Sequence, residues 1–222
     1  MDLVLFYSWQ SQTNEERNHK YIQKCINTAI SNINKIHKKQ YHIELQIAVR
    51  NIPGTKSIPN EIDKRISECD IFIGDLSIVN RQTKLQELIS KLQKTNYRPS
   101  RNENVLIEFT RAKDFVSGYR VLAVMNEEYG LPGQNGENIP FDIRFDNNPI
   151  IYSYDSKYGE KFNEFVQILQ EEITNCANQA IQDRKNKFLP LISYSEWSKL
   201  KTNQTSFKTN EYLTNLTSET PS

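Results

Sequence analysis

Leu3-Val4-Leu5-Phe6-Tyr7 is an unbroken apolar run that stops at the polar stretch Ser8-Trp9-Gln10-Ser11-Gln12. A run of this kind predicts a strand buried on both faces and then a loop. Ile22, Ile26, Ala29, Ile30 and Ile33 recur at helical spacing and predict a helix ending near His37, with Thr13 and Glu16 forming a capping box at its start. Ile43, Leu45, Ile47 and Val49 repeat every second residue, the pattern of a strand with one buried face near a sheet edge. Pro53 and Gly54 then break the chain. Ser57 and Pro59 supply an N-cap and a first helical residue, and Ile58, Ile62 and Ile66 form the apolar face of the helix they open. Asp70 to Leu76 reads as a third strand.

Residues 81 to 103 interrupt this order: Leu85, Leu88, Ile89 and Leu92 have helical spacing, and Tyr97-Arg98-Pro99-Ser100 breaks it, so an inserted helix and loop are expected. Val105, Phe109, Ala112 and Val116 then mark the buried stripe of another helix. Tyr119 to Met125 and Pro149 to Tyr154 are the fourth and fifth strands, separated by a loop holding Gly130, Gly133 and Gly136. Phe162, Val166, Leu169, Ile173, Cys176 and Ala180 line one face of a helix from Gly159 to Ile181, and after Phe188 the chain turns rich in Ser, Thr and Asn. Strands alternating with helices predict an α/β protein. The expected architecture is a flavodoxin-like three-layer fold, a five-stranded and mainly parallel sheet with helices on both faces. The expected organisation is a domain over 1–155, a C-terminal amphipathic helix over 156–187 that packs on or extends it, and a poorly ordered polar tail over 188–222.

Composition narrows the class. With 28 basic and 27 acidic side chains the formal charge is +1, so no whole-molecule field favours nucleic acid or an anionic membrane. Cys25, Cys69 and Cys176 are odd in number and far apart, which suits buried free thiols in a reducing compartment. The N-terminus lacks a basic region followed by a long apolar stretch, and no segment is long enough to span a bilayer, so a cytoplasmic protein is expected. His19, His37 and His42 have no ligand cluster around them, and no metal is expected. The loop from Gly130 to Gly136 lacks the Lys-Ser or Lys-Thr pair of a P-loop and reads as a mobile flap.

Ligands of open parallel sheets bind outside the carboxyl ends of the strands. The loops concerned carry Ser8-Trp9-Gln10, Arg50-Asn51-Ile52-Pro53-Gly54 and Asp75-Leu76-Ser77, and the helix after the third strand starts at the same rim. On that helix Glu108 is flanked by Ile107 and Phe109, in line with Asn104 and Arg111. A carboxylate at the edge of a core is costly unless it is paired or used. Each candidate also has a structural use: Glu108 as partner of Arg111 or Arg101, Trp9 as a plug over the sheet, Asp75 as a turn residue, and Arg50 as partner of Glu44 or Asp63.

Several pieces occur together in one order: Phe6-Tyr7-Ser8-Trp9-Gln10-Ser11, Ile52-Pro53-Gly54 with Ile58 and Ile62, Cys69-Asp70-Ile71-Phe72-Ile73-Gly74-Asp75, and Asn102-Glu103-Asn104-Val105-Leu106-Ile107-Glu108. Met125-Asn126-Glu127-Glu128-Tyr129-Gly130 and Pro140-Phe141-Asp142-Ile143-Arg144 follow. Over about residues 1 to 155 the chain thereby resembles the bacterial Toll/interleukin-1 receptor (TIR) domains of anti-phage defence. The resemblance implies an enzyme that cleaves NAD+ as its substrate, releases nicotinamide and makes linear or cyclic ADP-ribose, with no further cofactor. It places the catalytic glutamate at Glu108. Loop position and residue type, apart from the resemblance, add a substrate-binding set of Tyr7, Ser8, Trp9, Arg50, Gly54, Asp75, Ser77 and Asn104, with Trp9 or Tyr7 stacking on a ring, Arg50 meeting a phosphate, and the backbone near Gly54 and Ser77 orienting the rest.

Three departures stand out. The segment from Arg81 to Arg101 is longer than usual in the family, Phe109-Thr110-Arg111 is less apolar, and residues 155 to 222 are too short for a sensor module. The last point implies a separate sensor or effector protein, as in the stand-alone TIR component of Thoeris-type defence, while the resemblance and the amphipathic C-terminal helix imply self-association. A non-catalytic TIR adaptor and a nucleoside deoxyribosyltransferase-like enzyme fit the same residues.

Overall fold

The computed structural model describes residues 1–48, 58–80, 89, 92–93, 100–131 and 148–186. Five strands, β1 (Asp2–Ser8), β2 (His42–Ile47), β3 (Ile71–Asp75), β4 (Val121–Asn126) and β5 (Ile150–Tyr152), form one sheet in the order β2-β1-β3-β4-β5. All four pairings are parallel. Four α-helices accompany them among the described residues: α1 (His19–Ile36), α2 (Ile58–Glu68), α3 (Glu103–Val116) and α4 (Glu160–Lys185). The fold is a three-layer α/β sandwich of the flavodoxin-like kind.

The apolar run in β1 shows why the sheet is covered on both sides. Leu3, Leu5 and Tyr7 point into the core shared with α1 and α4, while Phe6 points into the core shared with α2 and α3, and all four are fully buried. Alternation with period two sends successive side chains to opposite layers. β2 is an edge strand, with His42 and Glu44 exposed and Ile43 buried, as its every-second-residue pattern predicts.

Helix α4 forms part of the principal core: Phe165, Leu169, Ile173 and Ala177 are buried against the same cluster as β1 and α1. Its last turn is fixed by Arg184, whose guanidinium donates to both oxygens of Asp70 at 2.6 and 2.7 Å. Asp70 in turn accepts from the Val4 amide at 2.9 Å. This clasp lies before β3, at the amino end of the sheet.

The starts of the first helix and of the fourth strand differ from expectation. The first helix starts at His19, and the hydroxyl of Thr13 has no hydrogen-bond partner among the described residues, so the Thr13 and Glu16 capping box does not form. Asn18 stands at the N-cap, yet its side chain is drawn into the interior instead of capping. The fourth strand begins at Val121, because Gly118–Arg120 is a turn of 3-10 helix and Tyr119 is 84% exposed. Of the expected inserted helix, only Ile89, Leu92 and Gln93 fall among the described residues, all three helical, and the Gly133 to Gly136 loop and the tail lie outside them.

Candidate functional site

From β1 the chain crosses to β2 on one side and then returns to β3 on the other, so the strand order reverses between β1 and β3. Crevices at such reversals are where open α/β sheets take ligands. Ser8 ends β1 and pairs in register with Gly74 of β3. Helix α3 lies across this pair. Its first turn is held by Asn102, whose side-chain oxygen accepts from the Asn104 and Val105 amides at 3.1 and 3.2 Å. The Asn102 amide group also donates to Gln12 Oε1 at 2.7 Å, tying the start of α3 to the loop after β1.

Gly74 lets the helix approach. A Cβ there would stand 3.0 Å from Phe109 Cδ2 and 3.2 Å from Phe72 Cε1, closer than carbon atoms normally pack. Val105 and Phe109, both buried, therefore rest directly on the strand, and this seating carries Glu108 over the end of β1. There the fully buried Ser8 hydroxyl donates to Glu108 Oε2 at 2.5 Å. Hydroxyl-to-carboxylate bonds of this length are the strong, charge-assisted kind. The half-buried carboxylate is thus fixed at the β1–β3 reversal by a donor one hundred residues away in sequence.

No family model and no curated protein matches this chain.

The other expected site residues fall into three groups. Tyr7, Asp75 and Ser77 are fully buried, so none of them presents a side chain to a ligand in this conformation. Tyr7 belongs to the core, and stacking on a substrate ring is closed to it. Its hydroxyl is held far above the usual tyrosine range, first by burial and then by the nearby Asp75. Asp75 and Ser77 join a polar network that ties the strand ends together. Asn18 Nδ2 donates to Asp75 Oδ2 at 2.7 Å and to Ser77 Oγ at 3.2 Å, and the Ser77 amide donates to Asp75 Oδ1 at 3.0 Å. Asn126 Nδ2 and the Tyr152 hydroxyl both donate to Asn18 Oδ1, at 2.8 and 2.9 Å. The donors to Asp75 are neutral, and burial raises its pKa while the bonds from Ser77, Asn18 and Gln10 pull it back down. Its structural role is the one the turn-residue reading anticipates.

Trp9 is half-buried. Its Nε1 donates to the Ala48 carbonyl at 2.8 Å, and its ring stacks on His19 at 3.9 Å between centroids. It touches both core clusters, as a plug over the sheet would. Asn104 is exposed on the first turn of α3, one helical turn before Glu108. Arg50 and Gly54 lie outside the described residues.

The remaining charges are arranged differently from the simple pairings that spacing suggests. Arg111 reaches across to the fully buried carboxylate of Asp63 on α2. Arg101 is 6% exposed, and its guanidinium donates to Met125 Sδ at 3.9 Å. Sequence reasoning missed Gln12, Asn18 and Asn102 as organising residues. Asn102 was detectable as an asparagine just before the helical stripe, a common N-cap signal, whereas the partners of Asn18 come from three distant strand ends. An open groove of about 750 Å³, lined by Asn14, Arg17, Glu128, Tyr154, Lys157 and Lys161 among others, lies elsewhere and contains none of the expected site residues. Among the described residues no cluster of His, Cys, Asp or Glu is suited to hold a metal, and no helix is long and apolar enough to cross a membrane.

Proposed function

We propose that the chain is a TIR-like NAD+ nucleosidase in which Glu108 is the catalytic carboxylate. The observation that carries this reading is the Ser8–Glu108 hydrogen bond of 2.5 Å at the β1–β3 reversal. The bond from Ser8 leaves Glu108 half-buried at the end of β1, where its carboxylate faces the crevice between two strand ends.

The reaction asks for such a group. The bond between C1′ of the ribose and the pyridinium nitrogen breaks with its electron pair going to nitrogen, so nicotinamide leaves neutral and needs no acid. Positive charge then develops on C1′ and the ring oxygen. Glu108 opposes that charge and accepts from the ribose hydroxyls, interactions strongest in the transition state. Water adding at C1′ and losing a proton gives ADP-ribose; a nucleophile within the bound ADP-ribose gives a cyclic product. Ser8 fixes one carboxylate oxygen, and Trp9 walls the crevice. Within this reading the protein acts in the cytoplasm, associates with itself, and works with a separate sensor or effector protein of a defence system.

The testing experiment incubates the full chain with NAD+ and follows nicotinamide by chromatography, for wild type, Glu108→Ala and Glu108→Gln. Release abolished by both substitutions supports the proposal. Base exchange between deoxynucleosides in place of NAD+ cleavage would move the assignment to a deoxyribosyltransferase, and binding without turnover would favour an adaptor.

A further inference from the structure

We infer that Arg101 is an oxyanion-binding residue that receives the diphosphate of the substrate beside the start of α3. Arg101 immediately precedes the N-cap Asn102 and is 6% exposed. Among the described residues its Nε has no hydrogen-bond partner, and its guanidinium donates to Met125 Sδ, a weak acceptor, at 3.9 Å. A buried cation resolves its cost by losing its proton, by pairing with a protein carboxylate or by pairing with a ligand anion. Burial lowers the Arg101 pKa only to about 10, so the group stays charged at neutral pH. No carboxylate pairs with it among the described residues, although Asp63, Asp70 and Glu128 all hold arginines elsewhere.

The third route is left, and the surroundings suit it. The backbone of Arg101 is bridged to Ile78 in the segment after β3, and Asn102 is tied to the loop after β1, so the residue that bears the guanidinium is anchored between two strand-end loops, at the start of the helix that carries Glu108. The positive end of the α3 dipole adds to its field. A planar guanidinium matches two oxygens of a phosphate group at once. The identity of the anion as a dinucleotide diphosphate rests on the NAD+ reading; the presence of an anion site does not.

The test uses inorganic pyrophosphate, which no step of NAD+ cleavage involves. Isothermal titration of the full chain at constant ionic strength compares wild type, Arg101→Met and Arg101→Lys. Loss of charge-assisted hydrogen bonds predicts that Arg101→Met binds about tenfold to a hundredfold more weakly, with Arg101→Lys in between. Because the substitution removes an uncompensated buried charge, Arg101→Met is expected to melt at or above wild type without pyrophosphate. Equal affinity in wild type and Arg101→Met, no binding to wild type, or a melting temperature of Arg101→Met several degrees below wild type would overturn the inference. Pyrophosphate binding through Arg101 without nicotinamide release would keep this site and remove the NAD+ reading; nicotinamide release unaffected by Arg101→Met would do the opposite.

Discussion

Placing a single methyl group at Gly74 tests how the site is positioned. In Gly74→Ala the new Cβ meets Phe109 Cδ2 at 3.0 Å, Phe72 Cε1 at 3.2 Å and Val105 Cγ1 at 3.7 Å. Phe72 and Phe109 are fully buried, so neither ring can swing into solvent to relieve the contact. Overpacking of this kind costs about 1–3 kcal/mol. Replacing glycine by alanine within a strand returns about 0.5–1 kcal/mol of chain entropy, and Gly74 does not adopt a left-handed φ that would cancel that gain. The net expectation is a loss of about 1–2 kcal/mol, or about 2–8 °C in melting temperature for a chain of this size. Since Phe109 adjoins Glu108 on α3, the cheapest relaxation lifts the helix and lengthens the bond to Ser8. Nicotinamide release should therefore fall more than the folded fraction does. Thermal melts and NAD+ kinetics on the same preparation read both effects. A variant that melts within about 1 °C of wild type with full activity refutes the claim that Gly74 sets the height of α3.

Other changes probe separate contacts. Ser8→Ala removes the donor to Glu108 Oε2, a charge-assisted bond contributing about 1.5–3 kcal/mol; kcat/KM for NAD+ should drop about tenfold or more, and an unchanged value contradicts the positioning role. Asp75 has a folded pKa above its unfolded value of about 3.9. Its favourable contribution is therefore complete below about pH 4 and is lost as pH rises through the folded value. The stability of wild type relative to Asp75→Asn, from urea midpoints, should shrink between about pH 4 and pH 7, and a difference that grows with pH would refute this. Asp63→Ala leaves the 26% exposed side chain of Arg111 without its buried carboxylate, so a urea-measured loss of about 1–3 kcal/mol is expected; a loss below about 0.5 kcal/mol would show that the bridge between α2 and α3 matters little.

The sheet was legible because its central strands are buried on both faces. A run such as Leu3 to Tyr7 leaves little choice of environment, and the edge position of β2 showed in its alternation. The start of α1 departs from the local capping pattern for a tertiary reason. Thr13 and Glu16 have capping spacing, but Asn18 makes four hydrogen bonds within the network of Asp75, Ser77, Asn126 and Tyr152, and that network sets where the helix begins. Glu108 stood out from its apolar neighbours alone. Its partner Ser8 was visible only as a loop residue, since nothing local links positions 8 and 108. The same limit applies to Tyr7, which is polar enough to suggest a binding role and is placed by strand alternation inside the core. Its position offers Arg101 as a partner for Glu108, but its burial beside Met125 follows from the bridge to Ile78, which no periodicity reveals.

The most direct test of the central claim is the rate of nicotinamide release from NAD+ by wild type and Glu108→Gln, measured with both proteins shown to be folded. Glutamine preserves the shape of the side chain and can still accept from Ser8, but it carries no negative charge. The account predicts release by wild type and a loss of about a hundredfold or more in the variant. Equal rates in the two proteins, or no release by wild type, would contradict it.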